Sequence, residues 1–192
     1  MKQNQVHIIW CVIFIIIAVS AGAAAQGQPA VDVKQSDLIA VLQSDASRAE
    51  KAITCKRLAI YGGEQAAAAL EPLLADGELA SWARIALEAI PGPAADAALR
   101  NALGSLQDRL LVGVINSIGV RRDGQAVEAL AQKLSDSNPE VVSAAAVALG
   151  HIGGEQAAKV LTQFLAGAPA GVRSAAAEGC ILCAEGFLAG DK

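Results

Sequence analysis

The chain has 192 residues, of which 54% are hydrophobic and only 3% aromatic, and alanine makes up much of the apolar share. A sandwich or barrel would need many more Val, Ile, Thr and aromatic positions, whereas alanine favours helices that pack closely. Lys2 is the only charged residue among the first 25, so the remainder carries 14 basic and 19 acidic side chains, a net of −5. That sign argues against nucleic acid as a partner.

At the N-terminus, the apolar run from Ile8 to Val19 follows Lys2 and ends in the small residues Ala21-Gly22-Ala23-Ala24-Ala25. This is the pattern of a secretory signal, so residues 1–25 are expected to be cleaved. The stretch from Ile8 to Ala25 could just span a bilayer, but its small-residue end favours cleavage. The mature protein is then expected to be exported, periplasmic or extracellular, with no membrane insertion after signal cleavage. Residues 26–35 have no helical apolar period and are expected to be a flexible lead-in. Ser36 offers an N-cap to a first helix beginning at Asp37.

From there the sequence repeats. Leu pairs spaced i, i+4 occur at Leu38/Leu42, Leu70/Leu74, Leu99/Leu103, Leu130/Leu134 and Leu161/Leu165, with successive pairs 32, 29, 31 and 31 residues apart. Each pair occupies one helix face. Between the pairs runs another helical segment that closes on an aliphatic residue and glycine, at Gly62, Gly92, Gly119 and Gly153. Glycine at these points suits a left-handed helix C-cap. The hexapeptide Gly62-Gly63-Glu64-Gln65-Ala66-Ala67 recurs as Gly153 to Ala158, 91 residues later, in phase with the same period. Each unit therefore reads as helix, turn, helix and short linker, and one unit alone cannot bury its apolar faces. Pro72 falls inside a second helix and should kink it, while Pro139 suits a first turn.

The run Asn138-Pro139-Glu140-Val141-Val142-Ser143-Ala144-Ala145-Ala146-Val147-Ala148-Leu149-Gly150-His151-Ile152-Gly153, followed by Ala157 to Leu165, resembles HEAT repeats of the short bacterial type, also known as HEAT-like repeats of phycobilisome lyases. The resemblance covers residues 44 to about 183. It implies an all-α fold, an α-solenoid (right-handed superhelix) of helical hairpins, with units at 44–76, 77–106, 107–137 and 138–168 and a partial unit at 169–192. The whole solenoid spans residues 36–192 and is expected to continue beyond Lys192. The Val-Arg pair common in such repeats occurs only at Val172-Arg173, and the segment from Glu178 to Lys192 also looks like the first helix of a tetratricopeptide repeat.

Cys180 and Cys183 form the one motif that invites a catalytic reading. Haem attachment needs His after the second Cys, and position 184 is Ala. Zinc needs two further ligands, for which residues after 25 offer only Cys55 and His151. A thioredoxin-like motif belongs at a helix N-terminus, whereas this one falls late in an Ala-rich helix. A shift of 31 residues places Cys180 on Leu149 and Cys183 on Ile152, so both are expected to be small buried apolar residues, with a strained disulfide between them as the alternative. Cys55 reads as a further buried thiol.

His151 sits before a turn and reads as a surface or capping residue. Arg121 and Arg122, in an apparent turn, read as solvated cations, as do Arg48, Lys51, Lys56 and Arg57 around one helix. Glu64, Glu71, Glu88, Glu128 and Glu155 fall on helix faces or turns and read as solvated surface. Trp82, near Leu79 and Ile85, is expected to pack, and Tyr61 is the other large aromatic with a polar handle. No catalytic, cofactor-binding or metal residue is assigned, and no cofactor is expected.

The expected function is an exported scaffold, not an enzyme, that binds a protein partner or an additional domain of the same chain. The alternative is an N-terminal accessory region of a larger extracytoplasmic hydrolase or haem protein. From the resemblance alone comes a bilin-lyase role, against which the export signal argues.

Overall fold

Residues 34–190 are described in the computed structural model, within the unit Val33–Lys192. The signal segment, most of the lead-in, and residues 191–192 lie outside them. The first helix, α1, runs Gln35–Gln43, followed by α2 at Arg48–Tyr61. A mixed helix comes next: a 3-10 turn at Glu64–Ala66, α3 at Ala67–Leu70, and a second 3-10 stretch at Glu71–Ala75. Then follow α4 at Ala80–Ala89, α5 at Pro93–Ala102, α6 at Asp108–Arg121, a 3-10 turn at Gly124–Ala126, and α7 at Val127–Lys133. The described residues close with α8 at Pro139–Ile152, α9 at Gly154–Gly167 and α10 at Arg173–Ala189, with no strand among them.

This is a helical solenoid. The first helices of successive hairpins, α2, α4, α6, α8 and α10, pack each against the next. The helices carrying the Leu pairs line the other side, where α1 lies against α3, α3 against α5, and α7 against α9. Nine of the ten paired leucines are buried, from Leu38 to Leu161, and Leu165 is half-buried. Leu58, Leu87, Ile118 and Leu149 meet them from the first helices, each with 0% exposure. Burying each such side chain contributes about 1.5–3 kcal/mol, and the repeat spacing makes these contributions one continuous core. No described helix is long and apolar enough to cross a membrane.

Short polar residues start the helices. Ser47 accepts from the Glu50 amide and Asn138 from the Glu140 amide, while Asp76 accepts from the amides of Glu78 and Leu79 just before α4. Each satisfies a donor that the first turn leaves without a helical partner. Pro72 lies in the 3-10 stretch Glu71–Ala75, where the chain tightens after α3, in keeping with its missing N–H.

Several local expectations need correction. The first helix begins at Gln35 with Lys34 at the N-cap and no side-chain cap, so Ser36 lies inside it. Gln35 is drawn into the stack because its side chain accepts from the Gly63 amide of the next hairpin. Gly62 is not left-handed but extended, at φ −79°. Gly119 is no C-cap either; it lies inside α6, whose left-handed cap is Arg122 at φ 52°. Gly153, at φ 69°, does cap α8, whereas Gly92, at φ 92°, is the N-cap of α5 and the cap of α4 is Ile90.

What Gly119 provides is room. A Cβ there would meet Ala148 Cα at 2.9 Å; one on Gly150 would meet Gly179 Cα at 2.7 Å; and one on Gly179 would meet Ala146 O at 2.4 Å. The backbones of α6, α8 and α10 thus approach too closely for any larger residue. The repeated hexapeptide also adopts two conformations. Gly63 at φ −128° leads into a 3-10 turn, whereas Gly153 and Gly154, at φ 69° and 79°, lead directly into α9.

Candidate interaction surface

Between α4 and α6 the stack is joined by arginines. Arg121, the last residue of α6, donates to the carbonyls of Leu87, Ile90 and Gly92 at 2.7, 2.7 and 3.0 Å and pairs with Asp96 on α5. Its side chain is only 10% exposed, which corrects the expectation of a solvated cation. The cause is geometric: the end of α6 lies beside the C-terminal carbonyls of α4, which have no helical donors and carry the negative end of the helix dipole. Arg84 of α4 reaches back, donating to Gly113 O at 3.1 Å and Ser117 Oγ at 3.2 Å. Ser117 in turn donates to Glu88 at 2.6 Å, so Glu88 is engaged and only partly solvated. Arg100 of α5 pairs with the buried Asp123.

On the outer side of α2 and α4, large apolar side chains stand in solvent. Ile53, Ile60 and Tyr61 on α2 are 53%, 74% and 54% exposed, and Ile85 on α4 is 49% exposed. On α2 the residues Lys56, Ile60, Ile53, Arg57 and Tyr61 fall within an arc of about 140° at 100° per residue, while Thr54, Cys55 and Leu58 fill the opposite, buried side. Trp82 of α4 is half-buried against the core, as its neighbours suggested, and Lys56 Nζ lies 5.2 Å from its ring centroid. Such a contact holds an ammonium over an aromatic face and orients it. Among the described residues, the other exposed large apolar side chains are Val120 on α6 and Ile181, Phe187 and Leu188 on α10.

The other residues singled out in the sequence are not drawn into one site. Cys180 and Cys183 are free thiols one turn apart on α10. Cys183 is the buried one, its sulfur 3.8 Å from Leu149 O, and burial first, then the neighbouring Cys180, raises its pKa. Cys55 has no exposed surface, and desolvation pushes its pKa up to about 11, so it is held as a neutral thiol. His151 is exposed in the last turn of α8, beside a shallow groove shared with Arg122, Gly153 and Glu185. Among the described residues no three of His, Cys, Asp and Glu come together in a metal-binding group.

Two features escaped the sequence reading. One is the arginine junction, whose partners are separated by 25 residues for Arg121 and Asp96 and 23 for Arg100 and Asp123. The other is the row Ile53, Ile60 and Ile85. Its signal was the i, i+7 spacing of the first two, with Ile85 on the neighbouring first helix.

The family of HEAT repeats matches residues 97–180, from α5 into α10, a little under half of the chain. Over those residues the chain is similar to HEAT repeats. HEAT repeats are helical scaffolds that typically mediate protein interactions. Among solved structures, the crystal structure of an engineered protein is similar to this chain at 22% identity, covering 78% of each, with a TM-score of 0.44. No curated protein matches.

Proposed function

We propose that this chain is a non-catalytic scaffold that binds a protein partner, or a further domain of its own chain, through the outer face of α2 and α4. The observation that carries the reading is the set of large apolar side chains, Ile53, Ile60, Tyr61 and Ile85, left in solvent on helices whose other sides are buried. Exposed apolar residues gathered on one face mark interaction sites, while single scattered ones do not. Burying one isoleucine contributes about 1.5–3 kcal/mol. Three isoleucines and a tyrosine together supply about 6–12 kcal/mol before the cost of association is subtracted. The apolar run and small residues before Gln26 support an extracytoplasmic location for this binding, after removal of residues 1–25.

The test is purification of the full-length product from the cells that make it, after mild cross-linking, beside an Ile53→Glu/Ile85→Glu variant. The wild type should carry a second polypeptide or domain in a fixed ratio, and the variant should lose the contact with its helicity and melting unchanged. A wild type that migrates alone, or a variant that keeps its partner, contradicts the reading. Intact mass should place the mature N-terminus at Gln26; a membrane-bound product retaining residues 1–25 contradicts export.

A further inference from the structure

We infer that the segment held on the α2 and α4 face is acidic as well as apolar: an amphipathic stretch of a protein that sets apolar side chains over Ile53, Ile60 and Ile85 and carboxylates on Lys56 and Arg57. The inference rests on the scaffold reading and adds the chemistry of the partner. Lys56 and Arg57 lie on the same exposed arc as Ile53 and Ile60, and among the described residues no carboxylate forms an ion pair with either. The neighbouring charges are already engaged. Arg48, at the start of α2, pairs with Asp76 and Glu78 at 3.6 and 3.1 Å, and Arg84 of α4 is turned toward Gly113 and Ser117. On α4 the outward residues Ser81, Ile85 and Ala89 are uncharged, and Glu50 is the one acidic residue on the exposed side of α2.

This local cationic pair stands in a chain whose net charge is −4. Electrostatic steering therefore favours the approach of an anionic group to this face. Lys56 is pre-oriented over Trp82, which lowers the entropy lost when a carboxylate reaches it. Two cations are too few for an anionic membrane, where recognition takes clusters of roughly four to eight, each contributing about 1 kcal/mol. They are also too few to follow a phosphate backbone. Between them the isoleucines supply apolar anchors that neither a headgroup nor a phosphate would use.

The test places a photo-cross-linking amino acid at position 85, and separately at position 163 on α9, in the full chain within its own cells. Mass spectrometry then reads the sequence of the captured segment. From position 85 the cross-link is expected to land on a segment rich in Asp or Glu and apolar residues. Lys56→Glu/Arg57→Glu should lower its yield about tenfold, equivalent to about 1.4 kcal/mol, at an unchanged melting temperature. Should the Lys56 change disturb Trp82, Arg57→Glu alone should still give a several-fold loss.

A captured segment without carboxylates, a yield indifferent to charge reversal, or a lipid adduct overturns the inference. Capture from position 163 but not from position 85 overturns both the inference and the α2 and α4 docking face, and leaves only the broader reading of a protein-binding scaffold. Capture from neither position overturns both.

Discussion

The two halves of the stack solve the same layer contact differently. From α6 to α10, successive first helices approach through Gly119, Ala148, Gly150 and Gly179, and α8 is buried on nearly every side. From α2 to α6, arginines bridge the layers through carbonyls and carboxylates, and the outer faces of α2 and α4 keep isoleucines in solvent. Small-residue contact draws helix backbones together and buries α8, while α6 and α10 still expose Val120, Ile181, Phe187 and Leu188. Side-chain bridging holds them through longer reach and leaves outward positions free for binding. One repeat of about 30 residues thus accommodates both kinds of layer contact.

The sharpest test of this contrast is Gly179→Val. Its side chain would collide with Ala146 O, and α10 would have to move off α8, so a loss of about 3 kcal/mol in unfolding free energy is expected from chemical denaturation. A loss below about 1 kcal/mol would show that the contact is loose. Next comes Arg121→Ala, which strips buried carbonyls and Asp96 of their donor and should lower stability by about 2 kcal/mol. Arg121→Lys should restore only part of this, because an ammonium cannot span the same fan of acceptors.

A smaller effect belongs to Cys55. Burial raises its folded pKa above the unfolded value, so its contribution is present below about 9 and is lost as the pH climbs toward about 11. Melting should therefore fall over that window in the wild type and fall less in Cys55→Ala, and iodoacetamide at pH 8 should label Cys55 only on unfolding. The smallest change expected is for Asp76→Ala, about 1 kcal/mol or less at neutral pH. The amides of Glu78 and Leu79, then Arg48, hold the Asp76 carboxyl below its ordinary pKa. Its contribution is thus present above about pH 3.9 and is lost as the pH falls through the lower folded value. A melting difference between wild type and Asp76→Ala that persists at pH 2 would contradict that assignment.

The core was legible because a Leu pair at i, i+4 can only be one face of a helix, and its recurrence fixed the hairpins. The glycines were harder. Sequence reveals that Gly119 has conformational freedom but not that it faces Ala148, so a contact glycine reads as a cap. Arg121 was misread for a related reason: whether a cation meets solvent or the open carbonyls of another helix depends on how far one layer rotates against the next. Trp82 packs half-buried against the core as expected, but of the two neighbours that suggested it only Leu79 is a core residue, Ile85 being exposed. The proposed face stayed hidden because Ile53 and Ile60 resemble core residues until Cys55 and Leu58 are seen to fill the inner side.

The central claim, that α2 and α4 hold a partner on their outer face, is tested most directly by hydroxyl-radical footprinting of the protein in its own cells against the purified chain. The account predicts that Tyr61, Ile60 and Ile85 are oxidised several-fold less in cells, while exposed positions on the second helices, such as Gln132 and Gln163, change little. Equal oxidation of Tyr61, Ile60 and Ile85 in both states, or protection confined to the second helices, would contradict it.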